Sequence, residues 1–243
     1  MAHIEQSQPQ PHEHHHRNVQ GGTARAAVFG VSDGLVSNVA LVIGVAGAHP
    51  APSVVRLAGI VGLIGGAFSM AAGEYNSMQA QRELLERELE LERREIHRRP
   101  ESERRELAQI YRSRGIHKDL AEELATEVHR DADLALETHA REELGIDPYE
   151  LGSPRAAAAA SFTAFGLGAV LPLLPWFFID GTSAIWASVV VGLVASLAVG
   201  VGLSAFTGRS WVRTAARQLA VGVLAAGIPY LIGSAVGAGT SAV

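Results

Sequence analysis

The sequence predicts an all-α membrane protein, with five transmembrane helices and a cytosolic helical domain inserted between the second and the third. Three observations lead there. Five stretches are each about 20 predominantly apolar residues long, the length that spans a bilayer. Glycine is abundant at 26 of 243 residues, and 48% of the chain is hydrophobic, as suits closely packed spanning helices. Charge is segregated: residues 74–150 hold 17 Glu and 4 Asp of the 25 acids, against 13 Arg and Lys. Five segments of spanning length are hard to house in a soluble core.

The elements follow in order. Residues 1–23 form a polar cytosolic tail, expected to be disordered, with HEHHH at 12–16. A His-rich tract can scavenge metal, but a solvated tail is the preferred reading. The first span covers 24–48, with Arg25, Asp33 and Asn38 its only strongly polar members. The second covers 52–75 and continues as a helix to about His97. Pro100 stops it, because the residue before a proline is pushed out of the helical region. Pro100 also suits the first turn of the next helix, with Glu101 and Glu103 favourable there. That helix ends near Gly115. A third helical region runs to Leu144, broken near Asp131, and Gly145 and Pro148 close it. Residues 76–152 are thus the inserted domain, and 153–243 hold the last three spans, at 156–178, 184–206 and 214–238. Pro172, Pro175 and Pro229 mark kinks or helix ends. Gly62 with Gly66, and Gly233 with Gly237, have the spacing of close helix contacts.

Orientation follows from Lys and Arg, which concentrate in cytosolic loops. Of the 20, 19 lie in the tail and the start of the first span, in the 76–155 segment, or around 207–217; Arg56 is the exception. The N-terminus and the inserted domain are therefore expected in the cytosol and the C-terminus outside it. No signal peptide is evident, which suits a prokaryotic plasma membrane. Cysteine is absent, so disulfides and thiolate metal sites are excluded. The acidic inserted domain is no nucleic-acid binder, since a phosphate backbone needs a basic face.

Asp33 is the first candidate functional residue. It lies about eight residues into its span, roughly 12 Å deep at 1.5 Å per residue. A charge there costs about 2.5–3.5 kcal/mol on insertion scales, so it should face a cavity or a partner. The alternative is a structural hydrogen bond to a neighbouring helix. Ser37 follows one turn later. Met70 and Glu74 are one turn apart on the second span, and for Met70 alone core packing is the simpler reading. In the inserted domain, Glu92 shares a stripe with Leu85, Leu89 and Ile96. Glu103 and Glu106 align with Leu107 and Ile110, and His139 and Glu143 with Leu136. Carboxylates on an inward stripe are costly unless paired or bound to a cation. Spacing alone nonetheless favours a solvated charged helix with Glu–Arg pairs.

The segments DGLVS in the first span, GAFSMAAGEY ending the second, PESERREL and EELGI in the insert, and LPLLP in the third occur in an order that resembles the vacuolar iron transporter family. The resemblance runs from about Asn18 to the C-terminus. It implies a dimeric five-helix exporter of Fe²⁺ and related divalent metals, such as Mn²⁺ or Zn²⁺, in exchange for protons. The metal is substrate, and no prosthetic group is implied. The resemblance places the pathway at the dimer interface, with Asp33 and Met70 as its transmembrane ligands; spacing adds Ser37 and Glu74, one turn from each, to the expected pathway. It makes Glu92, Glu95, Glu103, Glu106 and Glu143 metal ligands of the cytosolic domain. Two departures stand out. The family's adjacent Met pair is replaced by His139 and Ala140, so imidazole takes the place of a thioether. Some members carry a Glu where this chain has Gly62.

Two other classes compete. Membrane-bound ferroxidases hold di-iron with Glu-x-x-His on paired helices, a motif absent from 74–150. A metal sensor without transport is the other. There is no Gly-x-x-x-x-Gly-Lys loop, which argues against an ATP-driven pump and for coupling to a gradient.

Overall fold

The computed structural model describes residues 22–149 and 151–240, so the histidines of the tail lie outside the described residues. The helices in chain order are α1 (Thr23–Gly47), α2 (Pro52–Arg98), α3 (Pro100–Ser113), α4 (Lys118–Val128), α5 (Ala132–Glu142), α6 (Pro154–Leu173), α7 (Gly181–Thr207) and α8 (Trp211–Thr240), with a 3₁₀ turn (Leu174–Phe177) after α6. Five are long and apolar enough to cross a membrane: α1, the first half of α2, α6 with its 3₁₀ turn, α7 and α8.

α1 is the hub of the bundle and touches all four other spanning helices. Leu35, Val39, Val42 and Ile43 on α1 are buried against Leu173, Trp176, Ile185 and Ala226. Small residues let the backbones approach. A Cβ on Gly34 would collide with the Phe165 backbone of α6, and one on Gly168 with the Val31 carbonyl of α1. Gly233 and Gly237 of α8 press likewise on the backbone of Gly44 and Ala48. Gly62 and Gly66 do not serve that purpose. They face the side chains of Leu41 and Phe165. Polar links add direction to this packing: Gln218 Nε2 donates to Ser32 Oγ at 2.7 Å, tying α8 to α1. Lone Arg56 has a local duty. Its guanidinium donates to the Trp176 carbonyl at 3.0 Å and lies 3.4 Å from Asp180, pinning α2 to the 3₁₀ turn. Of the three prolines, Pro172 and Pro175 accompany the change from α-helix to 3₁₀ turn, whereas α8 runs on through Pro229.

α2 continues without interruption beyond the bundle, 47 residues in all. Its far half packs with α3, α4 and α5. The helix boundaries have local causes. Pro100 opens α3, and Gly115 leaves it at φ +92°, a conformation that a Cβ disfavours. The Asp131 carboxylate accepts from the backbone N–H groups of Asp133 and Leu134 and starts α5. Two small apolar clusters hold the helices together: Ile96 with Val128, Ala135 and Leu136, and Leu107 with Ala108, Tyr111, Ala125 and Val128. Arg114 pairs with Glu142 and joins α3 to the end of α5.

Candidate functional site

Two groups of side chains with potential ligand atoms share α2, one beside its apolar first half and one beside its far half. The first lies in the bundle. A groove of about 280 Å³ opens between α1, α2 and α6, lined by Asp33, Ser37 and Asn38 of α1, Gly62 and Met70 of α2 and Phe165 of α6. Asp33 and Ser37 point outward from the single chain, and Ser37 Oγ donates to Asp33 Oδ1 at 3.3 Å. Three of the residues read from the sequence as a pathway therefore meet in one cavity. The fourth, Glu74, is not among its lining residues. Its carboxylate is largely buried and pairs with Arg25 at 3.3 Å, so it already has a cation. Asn38 stood out in the sequence only as a polar member of an apolar run; its place in the groove depends on how α1 meets α6.

The second group lies where α2, α3 and α5 converge. Glu92, Glu103 and His139 are 4%, 6% and 0% exposed. Each offers a ligand atom, and these atoms lie within 4.8 Å of one another. Glu92 Oε1 and Glu143 Oε2 stand 3.0 and 3.2 Å from His139 Nδ1. The helical stripes explain the burial: Glu92 sits one turn from Ile96, and Glu103 one turn from Leu107, both buried. Glu95 and Glu106 point to solvent, yet both charges reach Glu103.

The electrostatics of this group are those of crowded acids. Burial, then the charges of Glu92, Glu106 and Glu95, holds the Glu103 carboxyl above the usual range. Glu143 is also raised, chiefly by burial, although His139 opposes the shift. Burial disfavours a charged His139, but contacts with Glu92 and Glu143 outweigh it and raise its pKa. Polar capacity remains unused. His139 Nε2 is buried with no partner, and Glu92 Oε1 makes no well-aligned hydrogen bond despite its closeness to the imidazole. Oxygen and nitrogen donors around unspent lone pairs match the preferences of a divalent first-row cation. Periodicity could not reveal a neighbour, His129. Its ring stacks edge-on against His139 at 5.2 Å, and its Nδ1 donates to the Ala125 carbonyl at 2.8 Å. Burial keeps it below the normal histidine pKa.

Comparison with known proteins agrees with this architecture. The VIT family matches residues 24–234. Vacuolar iron transporter 1 of Arabidopsis thaliana is 32% identical over 220 residues, covering 89% of this chain and 87% of its own length. Vacuolar iron transporter 1 of Oryza sativa subsp. japonica is 31% identical over 233 residues, covering 93% and 91%. A vacuolar iron transporter of Acanthamoeba castellanii is 37% identical over 161 residues, 65% of this chain and 58% of its own. With a family match over most of its length and five helices fit to cross a membrane, the chain is a multi-pass membrane protein that belongs to the VIT family.

Proposed function

We propose that this protein moves Fe²⁺, and Mn²⁺ or Zn²⁺ with it, out of the cytosol in exchange for protons. The observation that carries the reading is a pair of candidate ligand sets joined by one helix, α2: a groove with Asp33, Ser37 and Met70 in an apolar bundle, and a buried Glu92–Glu103–His139 cluster outside it. From Met70 to Glu92 is 22 residues of continuous α2, roughly 33 Å at 1.5 Å per residue. The names of its relatives supply iron as the first metal to test.

In this reading the cluster faces the cytosol, a side that the distribution of Lys and Arg favours. Glu92, Glu103, His139 and Glu143 take up the ion, and Glu95 and Glu106 raise its local concentration. In the groove, Asp33 supplies a carboxylate and Met70 a soft sulfur, a set that accepts a partly dehydrated Fe²⁺. A carboxylate that surrenders a cation takes a proton, which links outward metal to inward H⁺. Asp33 is exposed on a single chain, in an otherwise apolar span. A carboxylate facing lipid is costly, and that cost supports a second copy of the chain covering the groove. The membrane we assign is a prokaryotic plasma membrane.

The test is uptake of Fe²⁺ and Mn²⁺ into proteoliposomes with an imposed pH gradient. Metal should accumulate against its own gradient only when the lumen is acidic. Uptake indifferent to the gradient would remove proton exchange, and no uptake at all would leave a metal-binding membrane protein.

A further inference from the structure

Asn38 is buried, 1% exposed, in the middle of α1. Its Nδ2 donates to the Ala169 carbonyl of α6 at 2.5 Å. That bond fixes which end of the amide is which, because only the nitrogen can donate. The oxygen consequently turns away from α6. Oδ1 has no hydrogen-bond partner and no contact with solvent. It faces α2 at Gly62, where an added Cβ would come 3.1 Å from it. Asn38 and Gly62 both line the groove that holds Asp33, Ser37 and Met70.

An orphaned carbonyl oxygen in an apolar bundle is unfavourable, since nothing replaces the water it gave up. The tie to α6 accounts for the amide nitrogen and leaves the oxygen unexplained. We propose that Asn38 Oδ1 is a metal ligand of the groove, a neutral oxygen that binds a divalent cation together with the Asp33 carboxylate, the Ser37 hydroxyl and the Met70 thioether. This rests on the reading of the groove as the metal's route. The ligand class fits the cargo: amide oxygens suit hard and borderline divalent ions. Its neutrality matters as well. With Asp33 the only carboxylate among the described residues that line the groove, a bound divalent ion keeps a net positive charge. It is held less tightly than by two acids and leaves more readily. Gly62 takes part by absence, since a side chain there would press on Oδ1 and on Leu41.

Two substitutions separate ligand from strut. Both N38A and N38D lose the amide donor to Ala169, but only N38D keeps an oxygen. Mn²⁺ uptake into proteoliposomes gives KM and maximal rate, and thermal melting in detergent reports the lost tie. N38A should raise KM about tenfold, the loss of one ligand. N38D should melt no higher than N38A, yet show a KM at or below wild type. An unchanged KM in N38A, or equal damage in both variants, overturns the proposal and leaves Asn38 as a helix tie. If N38A does not fold, N38D decides alone: a KM at or below wild type upholds the ligand, and a raised KM overturns it. Asp33→Ala in the same assay tests the underlying reading: wild-type uptake there means the groove itself is not the route.

Discussion

The acids of the two ligand sets are placed opposite to what their surroundings suggest. Asp33 belongs to an apolar bundle yet lies exposed on the single chain, whereas Glu92 and Glu103 belong to a polar helical insert yet are buried. The insert closes its site with its own residues: three helices bring carboxylates and an imidazole together. Burial raises the pKa of Glu103 and Glu143, and contacts with Glu92 and Glu143 raise that of His139 against its burial. The groove opens at the surface of the single chain between α1, α2 and α6. Under the proposed function, one arrangement suits capture and holding and the other transit, because an ion must enter and leave a route without breaking open a core.

The strongest way to break this comparison is to remove capture and leave transit. A Glu92→Ala, Glu103→Ala double variant of the full-length protein should bind fewer ions per chain by calorimetry. Affinity at the cluster should fall by about 100-fold or more, since two of its buried ligands are gone. Uptake should continue at high metal concentration with a raised KM. Unchanged stoichiometry would favour the bland alternative, an acidic surface that happens to be folded inward. Met70→Ala probes the other side. Removing the thioether should raise the KM for Fe²⁺ by a few-fold, with a smaller effect on Mn²⁺, because sulfur favours the softer ion. Equal effects on both metals would make Met70 a packing residue.

Smaller effects come from pH. Imidazole binds metal only when neutral, and the contacts that raise the His139 pKa make protons stronger competitors. Zn²⁺ affinity at the cluster should therefore drop between pH 7.5 and pH 5.5, and His139→Met should flatten that drop in titrations of the whole protein. Equal pH dependence in both proteins would make His139 a buried histidine without a role as ligand. The metal-free protein should behave in the opposite sense. His139, Glu103 and Glu143 all bind protons more tightly folded than unfolded, so each favours the fold as pH falls. The His139 contribution is present below about pH 6.5 and is lost as pH rises through its raised pKa. The two carboxyls destabilise progressively above about pH 4.3, their unfolded value. Melting of the insert without metal should thus rise by a few degrees on acidification from pH 7.5 to 6, and added Mn²⁺ should stabilise more at the higher pH. A metal-free midpoint that falls on acidification would contradict the assigned contacts.

What was legible in the sequence was what local periodicity and punctuation encode. The five spans, the stop at Pro100, the turn at Gly115 and the break at Asp131 all stand close to where they were expected. The burial of Glu92, Glu103 and His139 agrees with their place on apolar stripes, although spacing alone favours a solvated charged helix. Periodicity errs at Glu106, which points to solvent although spacing aligns it with the stripe of Leu107 and Ile110. A stripe two residues wide on a 14-residue helix does not fix the buried face so finely. Contacts between distant segments were not legible. The capture of Glu74 by Arg25 spans 49 positions, and the Asn38–Ala169 bond spans 131. Nor was the crossing of Gly34 with Gly168, because a close approach belongs to the pair of helices and not to either sequence alone.

The central claim is that metal crosses through the groove at Asp33, and it is tested most directly by Fe²⁺ flux into proteoliposomes holding the Asp33→Ala variant. Flux should be abolished while the cluster at Glu92, Glu103 and His139 still fills, as calorimetry on the same preparation would show. Wild-type flux from a variant that lacks the Asp33 carboxylate would contradict it.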